Sequence, residues 1–276
     1  MHGLEVTGIA DFGTLDGMDE FLAAGDILGI RSVVGLQATV VVPSLADKVI
    51  GIPNEPGKVR FLAFGCVRMP DGAGEISRKM LQPAASGLDI DEASKLAMEV
   101  LGALPAVEWM DGMSEGESDA RRYLQTMQTH GICAISVLPE RNWNFIDPDE
   151  KNPKLRKLQE LIEATRYFDI PIFIGREISG VGQPIADDLL VRELENYKED
   201  FLHGARVVHG HTILSRYADF GYFSKAAEAY FDTQSKKNLF FSEVGMCLPP
   251  VKQRKRLADL RGRSDPKEIL NILGLG

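Results

Sequence analysis

Residues 132–178 decide the fold, and they read ICAISVLPERNWNFIDPDEKNPKLRKLQELIEATRYFDIPIFIGREI. The stretch begins with an apolar run at 132–138 and ends with another at 171–178, and both are rich in the residues that favour buried strands. Between them, residues 153–168 follow a helical pattern that a proline opens in its first turn. Because a strand, a crossover helix and a second strand form a βαβ unit, the two strands are predicted to be parallel.

The same alternation extends in both directions along the chain. Further strands are predicted at 6–11, 31–42, 60–67, 106–111, 205–213 and 238–244, and further helices at 15–28, 89–102, 115–129, 187–202 and 223–231. The second and third of these strands are joined by turns that contain proline and glycine and not by a helix. This connection allows the two strands to pair in an antiparallel arrangement. The chain is therefore predicted to be an α/β protein built mainly on parallel strand–helix units.

The size and composition of the chain fit one globular domain. Its 276 residues are close to the length of a single α/β barrel, which is about 250 residues. Hydrophobic residues make up 44% of the chain and charged residues 26%, which excludes a disordered chain or a coiled coil. We expect one domain over residues 1–276, with 43–88 as a loosely organised insertion and 247–276 as C-terminal helices.

The charge and the cysteine content restrict the partners and the compartment. A net charge of -9 works against nucleic-acid binding, which needs clustered cationic side chains. No run approaches the roughly 20 apolar residues of a membrane span, and the N-terminus lacks a basic-then-apolar signal segment. Cys66, Cys133 and Cys247 are few, widely spaced and odd in number, so a reducing compartment is expected. The prediction is a cytoplasmic protein that binds neither nucleic acid nor membrane.

Polar side chains stand at the ends of most predicted strands. In parallel α/β folds, ligands bind at the carboxyl ends of the strands, where the connecting loops converge. Each polar residue there could equally cap a turn or make a surface ion pair, but so many on one rim favour a shared site. The rule selects Asp11, Gln37, Glu108, Asp111, Glu140, Arg141, Asn142, Glu177, His209, His211 and Glu243.

The pair His209 and His211 is the strongest sign of metal binding in the sequence. On the predicted strand, residues two apart point to the same face, so both imidazoles could approach one metal ion or one anionic substrate. Oxygen ligands from Asp11 and Glu177 would complete such a site. Neither a P-loop nor a dinucleotide fingerprint occurs, so a nucleotide cofactor is not expected, and no Gly-x-Ser-x-Gly elbow occurs either.

The segment GIADFGTLDG at residues 8–17, together with GLQ at 35–37, resembles two motifs of the PHP (polymerase and histidinol phosphatase) metal-dependent hydrolases. Those motifs usually read T-D-H-D/G-T-x-D-G and G-x-E. Four later stretches resemble a divergent branch of the same family, namely WMDGMSEGE at 109–117, PERNWN at 139–144, GREI at 175–178 and HGHT at 209–212. The resemblance implies a distorted β/α barrel, related to the TIM barrel, with metal ions at the carboxyl rim and a metal-activated water that hydrolyses phosphoesters.

Several positions depart from the family pattern. Phe12 stands where the family has a metal-binding histidine, and Gln37 where it has a bridging glutamate. The opening H-x-H motif has no counterpart, because the chain begins almost directly at what resembles the second strand, and a further alternative is a shortened version of a longer enzyme that lacks the first strand. An incomplete barrel exposes a sheet edge, and association into a homo-oligomer is then expected.

Two hypotheses follow. The first is a PHP-like hydrolase with a reduced divalent-metal site, for Zn, Mn or Fe, formed by Asp11, Glu177, His209 and His211. In it, Glu140 or Glu108 acts as the base, and Arg141 holds the anionic group of a small-molecule substrate. The alternative is a catalytically inactive PHP-like domain that binds a small acidic or sugar-like ligand or serves as an oligomer subunit.

Overall fold

Seven strands form one curled sheet in the computed structural model, which describes residues 5–67, 87–178, 192–246 and 252–275. Six strands follow the order β1-β2-β3-β5-β6-β7, and the short β4 pairs with the end of β2. The sheet is an incomplete β/α barrel, which confirms the predicted fold class. The strands are β1 Thr7–Phe12, β2 Ser32–Val41, β3 Lys58–Phe64, β4 Leu88–Asp89, β5 Leu104–Trp109, β6 Ala134–Val137 and β7 Ile172–Ile174.

Strand β3 runs against the direction of its neighbours. It pairs antiparallel with β2 on one side and with β5 on the other, whereas β1 with β2 and β5 with β6 and β7 are parallel pairs. The link from β2 to β3 is short, and antiparallel strands need no crossover helix. The antiparallel pairing that the sequence allowed for these two strands is therefore present, and β3 lies in the middle of the sheet.

Helices cover both faces of the sheet. Short 3-10 helices lie at Pro43–Leu45 and Arg192–Tyr197, and a π-helical turn at Leu96–Leu101 continues the second α-helix. The α-helices are α1 Met18–Leu28, α2 Ile90–Lys95, α3 Ala120–Thr129, α4 Pro139–Asn142, α5 Pro148–Tyr167, α6 Lys198–Tyr217, α7 Lys225–Tyr230, α8 Gln234–Gly245, α9 Arg254–Asp259 and α10 Pro266–Leu273.

The alternation of side chains along each strand separates two cores. On β3, Val59, Phe61 and Ala63 pack with α1, α2, α3 and α5 on the outer face. Leu62 and Phe64 point to the inner face, where α6 and α8 lie. This period of two is the ordinary geometry of a strand. The inner face carries the cavity described below.

The strand predictions at 205–213 and 238–244 are wrong, because both segments are helical. Residues 205–213 lie in α6, and residues 238–244 lie in α8. From Val207 to Leu214 every residue of α6 is buried. A helix buried on all sides shows no polar face, and its apolar run cannot be told from a buried strand by periodicity.

Two glycines allow α6 to pack closely against its neighbours. A Cβ atom on Gly204 would lie 2.0 Å from the carbonyl oxygen of Ile172 in β7. At the crossing with α8, a Cβ on Gly210 would lie 1.9 Å from the carbonyl oxygen of Phe241. The backbones therefore touch where any side chain would separate them.

Some predictions fall partly outside the described residues. For the predicted helix at 187–202, residues 187–191 lie outside, and the rest forms the 3-10 helix and the start of α6. Residues 68–86 of the predicted insertion and residues 247–251 and 276 of the C-terminal segment also lie outside, and Cys247 is among them. In the described part of the chain, no helix is long and apolar enough to span a membrane.

Replacing Gly210 by alanine is expected to destabilise the fold. Alanine is favoured over glycine in a helix by about 1 kcal/mol, but the added methyl would overlap the Phe241 carbonyl and force α6 and α8 apart. We expect a net loss of about 2 kcal/mol or more in urea unfolding followed by the fluorescence of the buried Trp109 and Trp143.

The control for this experiment is Gly262→Ala. A Cβ at that position meets nothing within 4 Å, so only its left-handed backbone, with φ of 74°, opposes the change. That strain costs about 1 kcal/mol. Equal losses of stability in Gly210→Ala and Gly262→Ala would contradict the claim that the crossing of α6 and α8 requires a glycine.

Candidate functional site

A cavity of about 310 Å³ opens on the inner face of the sheet, between the strand ends and the first turns of α6. One end is charged and is lined by Gln37, Arg60, Glu108, Ser136, Arg176 and Glu177. The other end is apolar and is lined by Val33, Leu62, Phe64, Phe173, Ala205 and Val208. The volume lies at the lower end of the range usual for small-molecule sites, about 300–1,000 Å³.

Two arginines and two glutamates lie close together here: Arg60, Glu108 and Glu177 line the cavity, and Arg141 contacts both glutamates. Arg60 on β3 places its guanidinium 3.3 Å from Glu177 Oε2, and Arg141 on α4 approaches the same oxygen at the same distance. Both guanidinium groups also lie near Glu108 Oε1, at 4.0 Å from Arg60 and 3.9 Å from Arg141. We call these four residues the arginine–glutamate cluster.

Glu108 is the buried member of this cluster. Its side chain is only 6% exposed, and its Oε1 atom has no hydrogen-bond partner among the described residues. Burial raises the pKa of Glu108, and the charges of Arg60 and Arg141 offset only part of that effect. A carboxyl group with these properties can exchange a proton closer to neutral pH than an exposed one.

Glu177 is the exposed member, and its side chain keeps 51% of its surface in solvent. Its partial burial acts to raise the pKa, but Arg60 and Arg141 outweigh that effect and hold the pKa of Glu177 below its ordinary value. Glu177 is therefore a carboxylate that neutralises two arginines from the solvent side.

The turn after β6 positions Arg141. Pro139 opens the four-residue helix α4, and the buried Asn142 donates hydrogen bonds to the carbonyl oxygens of Leu138 and Met110. These bonds tie the turn to the end of β5, which carries Glu108. Glu140 in the same turn points to Arg176 instead and pairs with it at 2.7 Å.

Glu117 fixes the loop that follows β5. Its carboxylate accepts backbone N–H bonds from Met110, Asp111 and Gly112. Burial raises the pKa of Glu117 to about 7, and the three N–H bonds oppose that rise. Asp111, a predicted rim residue, pairs with Lys154 at 3.2 Å rather than with the arginine–glutamate cluster.

The histidine pair does not form the expected ligand face. Residues two apart on a helix point in nearly opposite directions, and the rings of His209 and His211 diverge on α6. His209 Nδ1 donates to the carbonyl oxygen of Gly245, whereas His211 Nδ1 accepts from the N–H of Tyr222. Burial lowers the pKa of both imidazoles to about 4, so both are neutral near pH 7.

The four predicted metal ligands therefore lie apart. Asp11 is exposed at the end of β1, Glu177 is held by the arginines, and the two histidines serve the packing of α6. Within the described ranges, no group of three His, Cys, Asp or Glu side chains converges as a metal site would require. A divalent metal does not fit this set of donors.

The structure brings together part of the predicted rim. Glu108, Arg141 and Glu177 meet in the arginine–glutamate cluster, and Gln37 lines the same cavity. Glu243 does not belong there, because it lies on α8 rather than at a strand end. The member of the arginine–glutamate cluster that sequence reasoning missed is Arg60. The signal was an arginine at the start of an apolar run, which becomes informative only once β3 is known to run antiparallel.

Comparisons with known proteins show no matching family model and no matching curated protein. Among solved structures, an amidohydrolase from Chromobacterium violaceum with bound sulfate and no metal has a TM-score of 0.44 and 12% identity, over 70% of this chain and 86% of that one. A proposed metal-dependent phosphoesterase from Bifidobacterium adolescentis has a TM-score of 0.41 and 16% identity, over 70% and 85%. Membership of the PHP family stays a prediction, and the chemistry of the site rests on its own residues.

Replacing Glu117 by glutamine is expected to change stability in a pH-dependent way. The folded-state pKa of about 7 lies above the ordinary value of 4.5, so the folded chain binds more protons than the unfolded chain between these values. The contribution of Glu117 to stability is thus greatest below pH 4.5 and declines as the pH rises through 7. Glutamine cannot ionise, so the stability of Glu117→Gln relative to the wild type should rise by about 2.5 kcal/mol between pH 5 and pH 8.

The measurement is the free energy of unfolding of both proteins in urea over this pH range. The contributions of the buried histidines and other shared groups cancel in the difference between the two proteins. At pH 5 the variant should be the less stable of the two, because both oxygens of the protonated carboxyl group can accept from the three N–H donors, whereas the amide NH₂ group only donates. A difference that does not change with pH would contradict a carboxyl group whose pKa is raised by burial.

Proposed function

We propose that this chain binds a small organic anion whose charged group lies between Arg60 and Arg141 and whose apolar part lies on the inner face of the sheet. One observation carries the proposal. Two arginine side chains point at a single carboxylate oxygen, that of Glu177, at the mouth of a cavity with an apolar floor.

Glu177 supports the choice of an anion. Its carboxylate already lies within 3.3 Å of both guanidinium groups, which supports a site whose geometry suits a carboxylate. Because half of its side chain is in solvent, it can swing away when a ligand carboxylate or phosphate takes its place. Guanidinium groups bind both kinds of anion through paired, charge-assisted hydrogen bonds.

The floor of the cavity supports an apolar body on the same ligand. Leu62 and Phe64 follow Arg60 along the same face of β3, since alternate residues of a strand share a face. Phe64 meets Phe173 of β7 edge to face, with ring centroids 5.1 Å apart. A flat ring or a branched aliphatic group would bury apolar surface there, at about 25 cal/mol per Å².

The expected ligands are therefore arylalkyl carboxylates and aryl phosphates. With phenylacetate and phenyl phosphate as probes, isothermal titration calorimetry should show binding that Arg60→Met and Arg141→Met each weaken about 10-fold to 100-fold, the usual value of a hydrogen bond to a charged group. Glu177→Gln should tighten binding about tenfold, because it removes the internal competitor.

The control is Arg166→Met. Arg166 makes a two-pronged pair with Asp200 on another part of the surface, so its loss changes the net charge equally without touching the cavity. Absence of binding by the wild type, or an equal effect of all three arginine substitutions, would contradict the proposal.

A second candidate is hydrolysis in the same cavity, with Glu108 as the general base. Its support is the buried carboxyl group with a raised pKa, one oxygen of which lacks a hydrogen-bond partner in the part of the chain that the structure describes. In this reading, Glu108 takes a proton from a water molecule that attacks the ligand's ester group, while the arginines hold the anion.

Turnover of p-nitrophenyl phosphate separates the two candidates. If Glu108 is the base, the rate should rise with pH, because only its ionised form accepts a proton, and the rise should occur above the pH at which an ordinary glutamate ionises. Glu108→Gln should lower the rate about 100-fold or more while phenyl phosphate still binds. Unchanged turnover in Glu108→Gln would exclude Glu108 as the base, and absence of turnover in the wild type would leave binding alone.

A further inference from the structure

A second cluster of polar side chains lies on the surface, apart from the cavity. It joins Ser44 in the 3-10 helix after β2, Asp91 in the first turn of α2 and His130 at the end of α3. Ser44 Oγ lies 3.2 Å from His130 Nε2, and His130 Nδ1 lies 2.7 Å from Asp91 Oδ1. The hydroxyl, the imidazole and the carboxylate therefore form one continuous chain of hydrogen bonds.

The order of atoms in this chain sets the roles of the imidazole nitrogens. A carboxylate only accepts hydrogen bonds, so the neutral ring of His130 carries its proton on Nδ1 and donates it to Asp91. The lone pair then lies on Nε2, which faces the hydroxyl group of Ser44. A serine beside a base that a third group orients is the arrangement that activates a nucleophile.

The three hydrogen-bonded residues differ in their exposure to solvent, as a nucleophile and its base require. Ser44 is exposed and accessible to a substrate, whereas the imidazole of His130 is only 14% exposed and is held at both nitrogens. Asp91 is 65% exposed, so water weakens its interaction with the ring. His130 is thus well oriented, but the exposed Asp91 stabilises it only moderately.

We infer that Ser44 is a nucleophile for small activated esters, with His130 as its base and Asp91 as a positioning residue. Ser44 Oγ attacks the acyl carbon and its proton passes to His130 Nε2. The C–O bond to the alcohol then breaks, and the alcohol leaves with the proton from His130. Water adds to the acyl-serine by the same route in reverse, releasing the acid and restoring the hydroxyl group.

The substrate class follows from the exposed setting. The leaving group of an aryl ester is a weakly basic phenolate, which departs readily even where the tetrahedral intermediate is little stabilised, whereas the amine of an amide needs much more stabilisation. We therefore expect acyl transfer from aryl esters and none from peptides.

The test is labelling with a fluorophosphonate, in which the serine oxygen displaces fluoride from phosphorus, followed by peptide mass spectrometry. The label should appear on Ser44, vanish in Ser44→Ala and form about 100-fold more slowly in His130→Gln. Ser118→Ala is the matched control, because Ser118 is also exposed but its hydroxyl donates to the carbonyl oxygen of Glu115. The rate at which Ser44 is labelled in the Ser118→Ala variant should equal the rate in the wild type.

Asp91 needs a readout that a purely structural role would not move. In Asp91→Asn, heteronuclear NMR of the His130 ring should show loss of the Nδ1–H tautomer, together with slower labelling. Absence of label on Ser44, or labelling that His130→Gln leaves unchanged, would overturn the inference.

Discussion

The close approach of α6 to the open sheet is the constraint on which the rest of the structure depends. The half-open sheet has an inner face that must be covered, and α6 covers it by bringing its backbone against β7 at Gly204 and against α8 at Gly210. The same helix supplies the apolar wall of the cavity through Ala205 and Val208. It also buries both histidines, whose Nδ1 atoms bond to the backbone of Gly245 and Tyr222.

Placement of one antiparallel strand creates the charge pattern of the site. In an all-parallel sheet, the carboxyl end of every strand would meet the rim, but β3 brings the beginning of its sequence there. Arg60 therefore lies beside Glu108 of β5, and Arg141 approaches from the turn after β6. Two cations then face one buried and one exposed carboxylate, an arrangement that a ligand anion can enter by replacing Glu177.

The sequence predicts the units whose signal is local. The βαβ unit at 132–178 has strong strand runs and a long helix with a clear start, and both strands and the helix are present. The rule that ligands bind at the carboxyl ends of parallel strands located Glu108, Arg141 and Glu177, because these ends meet at one edge of the sheet wherever the helices lie. It failed for His209, His211 and Glu243, since a fully buried helix lacks the polar face that distinguishes it from a strand. Arg60 could not be found without the direction of β3, which depends on pairing between distant segments.

The central claim is that the arginine–glutamate cluster receives a ligand anion in place of Glu177. A crystal structure of the protein soaked with phenylacetate tests it most directly. We predict a carboxylate within hydrogen-bond distance of Arg60 and Arg141, the ring against Phe64 and Phe173, and Glu177 turned toward solvent. A structure with Glu177 still between the arginines and the cavity empty at saturating phenylacetate would contradict the account.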